Sequence, residues 1–148
     1  MRCRSCHIAE FTAWKSTPHA HALATLSTAP DSAIAKMAAS LKVTLKAPAA
    51  SNDACVVCHV TGFHLPGGHP AADSLKNVAV SNVTCESCHG PGGRHVTAAL
   101  AEKKKTIQRA VSPTLCVQCH TTATSPSFAF DEYRKRDPHM TPPPKSEN

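Results

Sequence analysis

The sequence predicts a mainly α-helical chain with much irregular structure, with one domain over residues 1–140 and a disordered tail at 141–148. Three observations lead to this fold class. Short apolar patterns recur at helical spacing, Pro- and Gly-rich stretches separate them, and all eight cysteines fall within four C-x-x-C-H motifs. The motifs are Cys3, Cys6, His7; Cys55, Cys58, His59; Cys85, Cys88, His89; and Cys116, Cys119, His120.

Each element can be justified in turn. In IAEFTAWKS, Ile8, Phe11 and Trp14 are three apart and give a helix one apolar face. Thr17-Pro18 then reads as a cap with proline in the first turn of a helix carrying HAHALATL. DSAIAKMAASLKV is a further helix, and APAASND is a loop. VTGFHLPGGHP, after the second motif, is dense in turn residues. VAVSNV, within residues 74–84, is a short strand candidate. CESCHGPGGRH turns sharply before a predicted helix over VTAALAEKKKTIQRAV. The last motif leads to a loop, the aromatic segment FAFDEYRKRD and the tail TPPPKSEN.

The repeated motif narrows the chemistry. Structural zinc is served by two cysteine pairs and has no use for a histidine after each one. A redox dithiol needs a single pair, and adjacent pairs make poor long-range disulfide staples. C-x-x-C-H is the attachment signature of c-type haem, with two thioethers to the porphyrin and the histidine as proximal iron ligand. Histidine is only 10 of 148 residues, so four adjacent histidines are not a compositional accident. The reading is four covalent haems c. Their thioethers are made by Cys3, Cys6, Cys55, Cys58, Cys85, Cys88, Cys116 and Cys119, and His7, His59, His89 and His120 serve as proximal ligands.

The composition agrees. Four Phe, one Tyr and one Trp make a thin protein core, which flat apolar cofactors would supplement. The formal net charge of +6 would be offset by haem propionates, so nucleic-acid binding is not expected. Lys103, Lys104 and Lys105 read as a solvated helix face or as propionate neighbours. No apolar stretch is long enough to span a bilayer, so no transmembrane segment is expected. Cys3 comes too early for a signal peptide ahead of it, and thioether attachment normally takes place outside the cytoplasm. The expectation is a mature or truncated chain that works in the periplasm or extracellular space.

Six histidines remain: His19, His21, His64, His69, His95 and His139. With only three methionines, bis-histidine ligation is expected at most irons, giving low-potential electron-transfer haems rather than substrate sites. His19 and His21 cannot both face one iron from a single helix, so one is spare. At the second haem His69 is the expected distal ligand in preference to His64, with other arrangements open. His69 has more chain length and more glycine than His64 with which to round the porphyrin edge. The site could also stay open, or take a histidine from another copy.

CRSCHIAEFTAWKSTPHAHAL, CVVCHVTGF followed by GG, CESCHGPG followed by a histidine, and the last motif with FAFDE before a histidine carry a family resemblance. Together they resemble the tetrahaem cytochromes c that accept electrons from hydroxylamine oxidation in ammonia-oxidising bacteria. The resemblance implies that His95 is the distal ligand of the first haem, His19 of the third and His139 of the fourth, with the second haem five-coordinate. It implies an electron carrier with redox protein partners as donor and acceptor. A redox enzyme with one open haem, or a subunit of a self-associating conducting filament, is the alternative.

Overall fold

A computed structural model describes residues 2–71, 74–135 and 139. Helices are short, and among the described residues there is no sheet. The one β contact is an isolated antiparallel bridge between Val60 and Ser81. In chain order the helices are α1 (Ile8–Lys15), α2 (Ala22–Thr28), α3 (Asp31–Ser40), α4 (Asp53–Val56), α5 (Ser74–Val80), α6 (Cys85–His89), α7 (Gly93–Thr97), α8 (Pro113–Cys116) and α9 (Phe130–Lys135). Tight 3-10 turns at Arg2–Ser5, Pro18–His21, Ala49–Ser51 and Lys103–Lys105 connect them.

Local chemistry accounts for the ends of these helices. Thr17 is extended and Pro18 opens the 3-10 turn, where a missing N–H costs nothing. Asn52 caps α4 by accepting from the Ala54 N–H, and Ser112 caps α8 by accepting from the Thr114 N–H. Gly90 ends α6 with φ +74°, a region open to glycine.

Two expected elements differ. The strand candidate is instead the end of helix α5 followed by a bend, because no second strand is there to pair with it. The long helix expected over residues 96–111 breaks at Ala98, which is extended. Backbone groups beyond the break are engaged by histidine side chains, at Lys103 and Gln108 (below).

The core is thin. Among the described residues the buried apolar ones are Ala20, Ala22, Ala38, Ala49, Val56, Val60 and Val80, none larger than valine. Polar bonds do much of the fastening. The Trp14 indole donates to the Val83 carbonyl at 3.0 Å, and the Leu23 N–H donates to Asn82 Oδ1 at 2.9 Å. Asn82 has φ +92°, which its short polar side chain tolerates. Buried Thr61 is a hub. Its hydroxyl donates to the Asn82 carbonyl at 2.8 Å, accepts from the Thr84 N–H at 2.9 Å, and lies 2.8 Å from the hydroxyls of both Thr84 and Ser87. This hub ties the loop after the second motif to the start of the third. Thr61→Val keeps the shape but leaves the Thr84 N–H without its acceptor. We expect it to destabilise the haem-loaded protein by about 1–3 kcal/mol, measured by denaturant titration.

Candidate haem centres

Each motif is built on one helical turn, which brings both thiols to the same side at i and i+3 and the histidine to i+4. The His7 N–H donates to the Cys3 carbonyl at 2.9 Å, and the His120 N–H to the Cys116 carbonyl at 2.9 Å. In the second motif the His59 N–H donates instead to the Val56 carbonyl at 2.8 Å. A turn of this kind holds two sulfurs and an imidazole without needing a core around it.

The histidine rings are oriented through one nitrogen. His59 Nδ1 lies 2.5 Å from the Ala22 carbonyl, His89 Nδ1 lies 2.7 Å from the Gln108 carbonyl, and His95 Nδ1 lies 2.9 Å from the Lys103 carbonyl. His120 Nδ1 is 2.9 Å from the Ser125 hydroxyl. A carbonyl accepts only from N–H, so Nδ1 carries the proton in the first three and Nε2 keeps the lone pair that a metal binds. The Gln108 N–H also donates to the His89 carbonyl at 3.2 Å, so that residue is held from both sides.

Three pairs of rings then lie close together. The His7 and His95 centroids are 6.1 Å apart at 27° between planes. His89 and His139 are 5.9 Å apart at 9°, and His19 and His120 are 5.9 Å apart at 61°. Phe128 stacks on the His120 ring at 4.7 Å and 15°. His19 is partly exposed, yet desolvation, and secondarily the nearness of His120, holds it below the usual imidazole value. Desolvation lowers His120 as well, so both favour the neutral form that binds metal.

The resemblance implied His19 against the third motif and His139 against the fourth; the rings are arranged the other way. The backbone explains the difference. The His19 carbonyl accepts from the Val83 N–H at 3.2 Å, so the main chain lies alongside the third motif while the side chain reaches the fourth.

The other histidines are differently placed. His21 Nε2 is 3.0 Å from the Lys15 carbonyl, so the nitrogen that would bind metal is engaged. His64 Nε2 is 3.8 Å from Asp53 Oδ2, and both side chains are exposed. His69 has both ring nitrogens covered by protein and without a hydrogen-bond partner. Its main chain closes the loop, with its N–H on the Thr61 carbonyl and its carbonyl receiving the His64 N–H. A side chain at Gly68 would strike the Gly62 carbonyl, so this turn needs glycine there. The ring of His69 is not brought against that of His59.

Contacts between thiols order the four motifs in space. Cys3 and Cys85 lie close together: as free thiols, each is the main influence on the other, lowering Cys3 and raising Cys85. Cys58 and Cys119 are a second close pair, with Cys58 lowered and Cys119 raised by the other. Cys88 and Cys116 are close enough for the second to raise the first, after desolvation. The attachment points therefore run first, third, fourth, second.

These residues can be tested against the cofactor that the motifs imply. An imidazole nitrogen sits about 2 Å from a first-row metal, so two imidazoles on opposite sides of one ion have ring centres about 6 Å apart. Three pairs at 5.9–6.1 Å meet that requirement. Each pair includes the histidine of a C-x-x-C-H motif. The donor set fits haem c.

Residues 2–90 match the family model described as cytochrome c554 and c-prime. The chain belongs to that family. Residues 76–125 also match a model of the doubled CXXCH motif, which covers the third and fourth motifs. Cytochrome c-554 of Nitrosomonas europaea is 42% identical over 94 residues, covering 62% of this chain. That alignment spans 37% of the relative, so the chain matches little more than a third of its length. The reduced-state structure of cytochrome c554 from the same organism superposes with a TM-score of 0.66 at 26% identity, covering 92% of this chain and 80% of that one. Membership of the cytochrome c554 family agrees with the mainly helical fold, with four haems c and with a periplasmic or extracellular location. No helix among the described residues is long and apolar enough to cross a membrane.

Residues that orient the rings were not found from sequence alone. Ala22, Lys103 and Gln108 act through main-chain carbonyls, which leave no mark on residue type. Only Ser125 and Phe128 carried any signal, as polar and aromatic residues close after the last motif.

Proposed function

We propose that this chain is an electron carrier whose haems c are held at the first, third and fourth motifs by His7 with His95, His89 with His139, and His19 with His120. The observation that supports it is the facing of three histidine pairs at 5.9–6.1 Å, each joining a motif histidine to one distant in sequence. Paired imidazoles leave no coordination position for substrate and favour a low reduction potential. When bound, the haems supply one-electron transfer. Donor and acceptor are redox proteins, and the line of attachment points supports exchange from either end. For the second motif we propose His59 as the only chain ligand. The engagement of His64 with Asp53, and the close histidine–histidine ring pairs that include the motif histidines of the other three motifs, favour that reading over closure by either residue. An iron so held could bind a small ligand such as carbon monoxide, or accept a histidine from another copy.

The test is electron paramagnetic resonance of the oxidised protein beside carbon monoxide titration of the reduced one. The expected result is three low-spin centres, one high-spin centre and one carbon monoxide bound per chain. His21→Ala should change neither. Four low-spin centres that persist on dilution, with no carbon monoxide uptake, would reject the open second site. Loss of one low-spin centre on dilution would assign its missing ligand to a second copy.

A further inference from the structure

Lys103, Lys104 and Lys105 look alike in the sequence, but the fold separates them. Lys104 is exposed, and Lys105 pairs with Glu102 at 3.0 Å on the surface. Lys103 is half-buried. Its ammonium donates to the carbonyls of His95 at 2.8 Å and Val96 at 3.0 Å. Its own carbonyl accepts from His95 Nδ1 at 2.9 Å and from the Thr106 hydroxyl at 2.8 Å.

We propose that Lys103 is the positioning residue for His95, gripping its main chain with the ammonium and its ring with the carbonyl. The inference rests on the reading of His95 as a ligand at the first motif. Helix α7 is only five residues long and ends at Thr97, before the extended Ala98, so its last carbonyls lack helical partners. An ammonium there satisfies two of them and complements the negative end of the helix. The Lys103 carbonyl fixes the proton on Nδ1 and leaves Nε2 its lone pair, on a ring centred 6.1 Å from that of His7. Either bond alone would leave a hinge. Together they close a ring of contacts from the His95 carbonyl through the Lys103 side chain and back to the imidazole, which resists swinging of that imidazole away from His7.

The test uses the haem-loaded protein and the rate at which carbon monoxide enters the first site on reduction, a rate limited by departure of His95. Lys103→Met removes both charge-assisted bonds and should speed that entry about tenfold or more, with a growing high-spin signal in the oxidised form. Lys103→Arg should restore slow entry, Lys103→Gln should fall between, and Lys104→Met should match the parent. If Lys103→Met does not load haem, the order of Gln against Arg decides. Equal rates for the parent and the Met and Gln variants, while His95→Ala opens a new carbon monoxide site, would overturn the role of Lys103 alone. Absence of a new site in His95→Ala would instead overturn the ligation on which it rests.

Discussion

Replacing His19 with alanine should open the fourth haem centre and leave the third closed. The variant should bind one more carbon monoxide per reduced chain than the parent and gain one high-spin signal when oxidised. The expectation follows from the 5.9 Å between the His19 and His120 rings, and from His89 facing His139. Phe128, stacked on His120 at 4.7 Å, is a local reporter. Its paramagnetically shifted resonances should move in His19→Ala and stay in place in His139→Ala. Movement in His139→Ala alone would return both ligands to the assignment implied by the resemblance.

The second large effect concerns the cofactors as a group. Chain made without haem attachment should show no cooperative thermal transition, with circular dichroism of a largely unfolded peptide. No side chain larger than valine is among the buried apolar residues, and helices of four to ten residues are marginal without packing. Haem attachment should therefore be coupled to folding, as metal binding is in small metal domains. A sharp transition in the haem-free chain, monitored at 222 nm as standard for helix, would show that the polypeptide carries its own core.

What the sequence disclosed, and what it hid, divides by range. The helical turn of each motif was legible because its pattern is complete within five residues. The helix from Ile8 was legible from three apolar positions, and it runs as Ile8–Lys15. Local pattern misled at Val78–Val83, where β-branched residues end a helix for want of a partner strand. It misled again at 96–111, where helix-forming residues give way because Lys103 and Gln108 lend their carbonyls to His95 and His89. Histidine pairing was the least legible feature. His19 runs beside one motif and points at another, a distinction between main chain and side chain that no linear pattern records. The single-domain boundary at 140 and the tail at 141–148 lie outside the described residues.

The three facing pairs have a bearing on how the protein is made. Each joins positions far apart in the chain: 7 with 95, 19 with 120, and 89 with 139. A chain that emerges from its N-terminus presents His7 and His19 long before their partners exist. Thioethers, in contrast, can be made on each five-residue motif as it appears. On the proposed ligation, the cofactors are tethered early and the distal histidines select among them late. Closing such long loops carries an entropic cost that grows only slowly with length. If the pairs close on iron as proposed, they would act as cross-links drawn around the whole chain, so that loss of the last to form would loosen its N-terminal end as much as its C-terminal one.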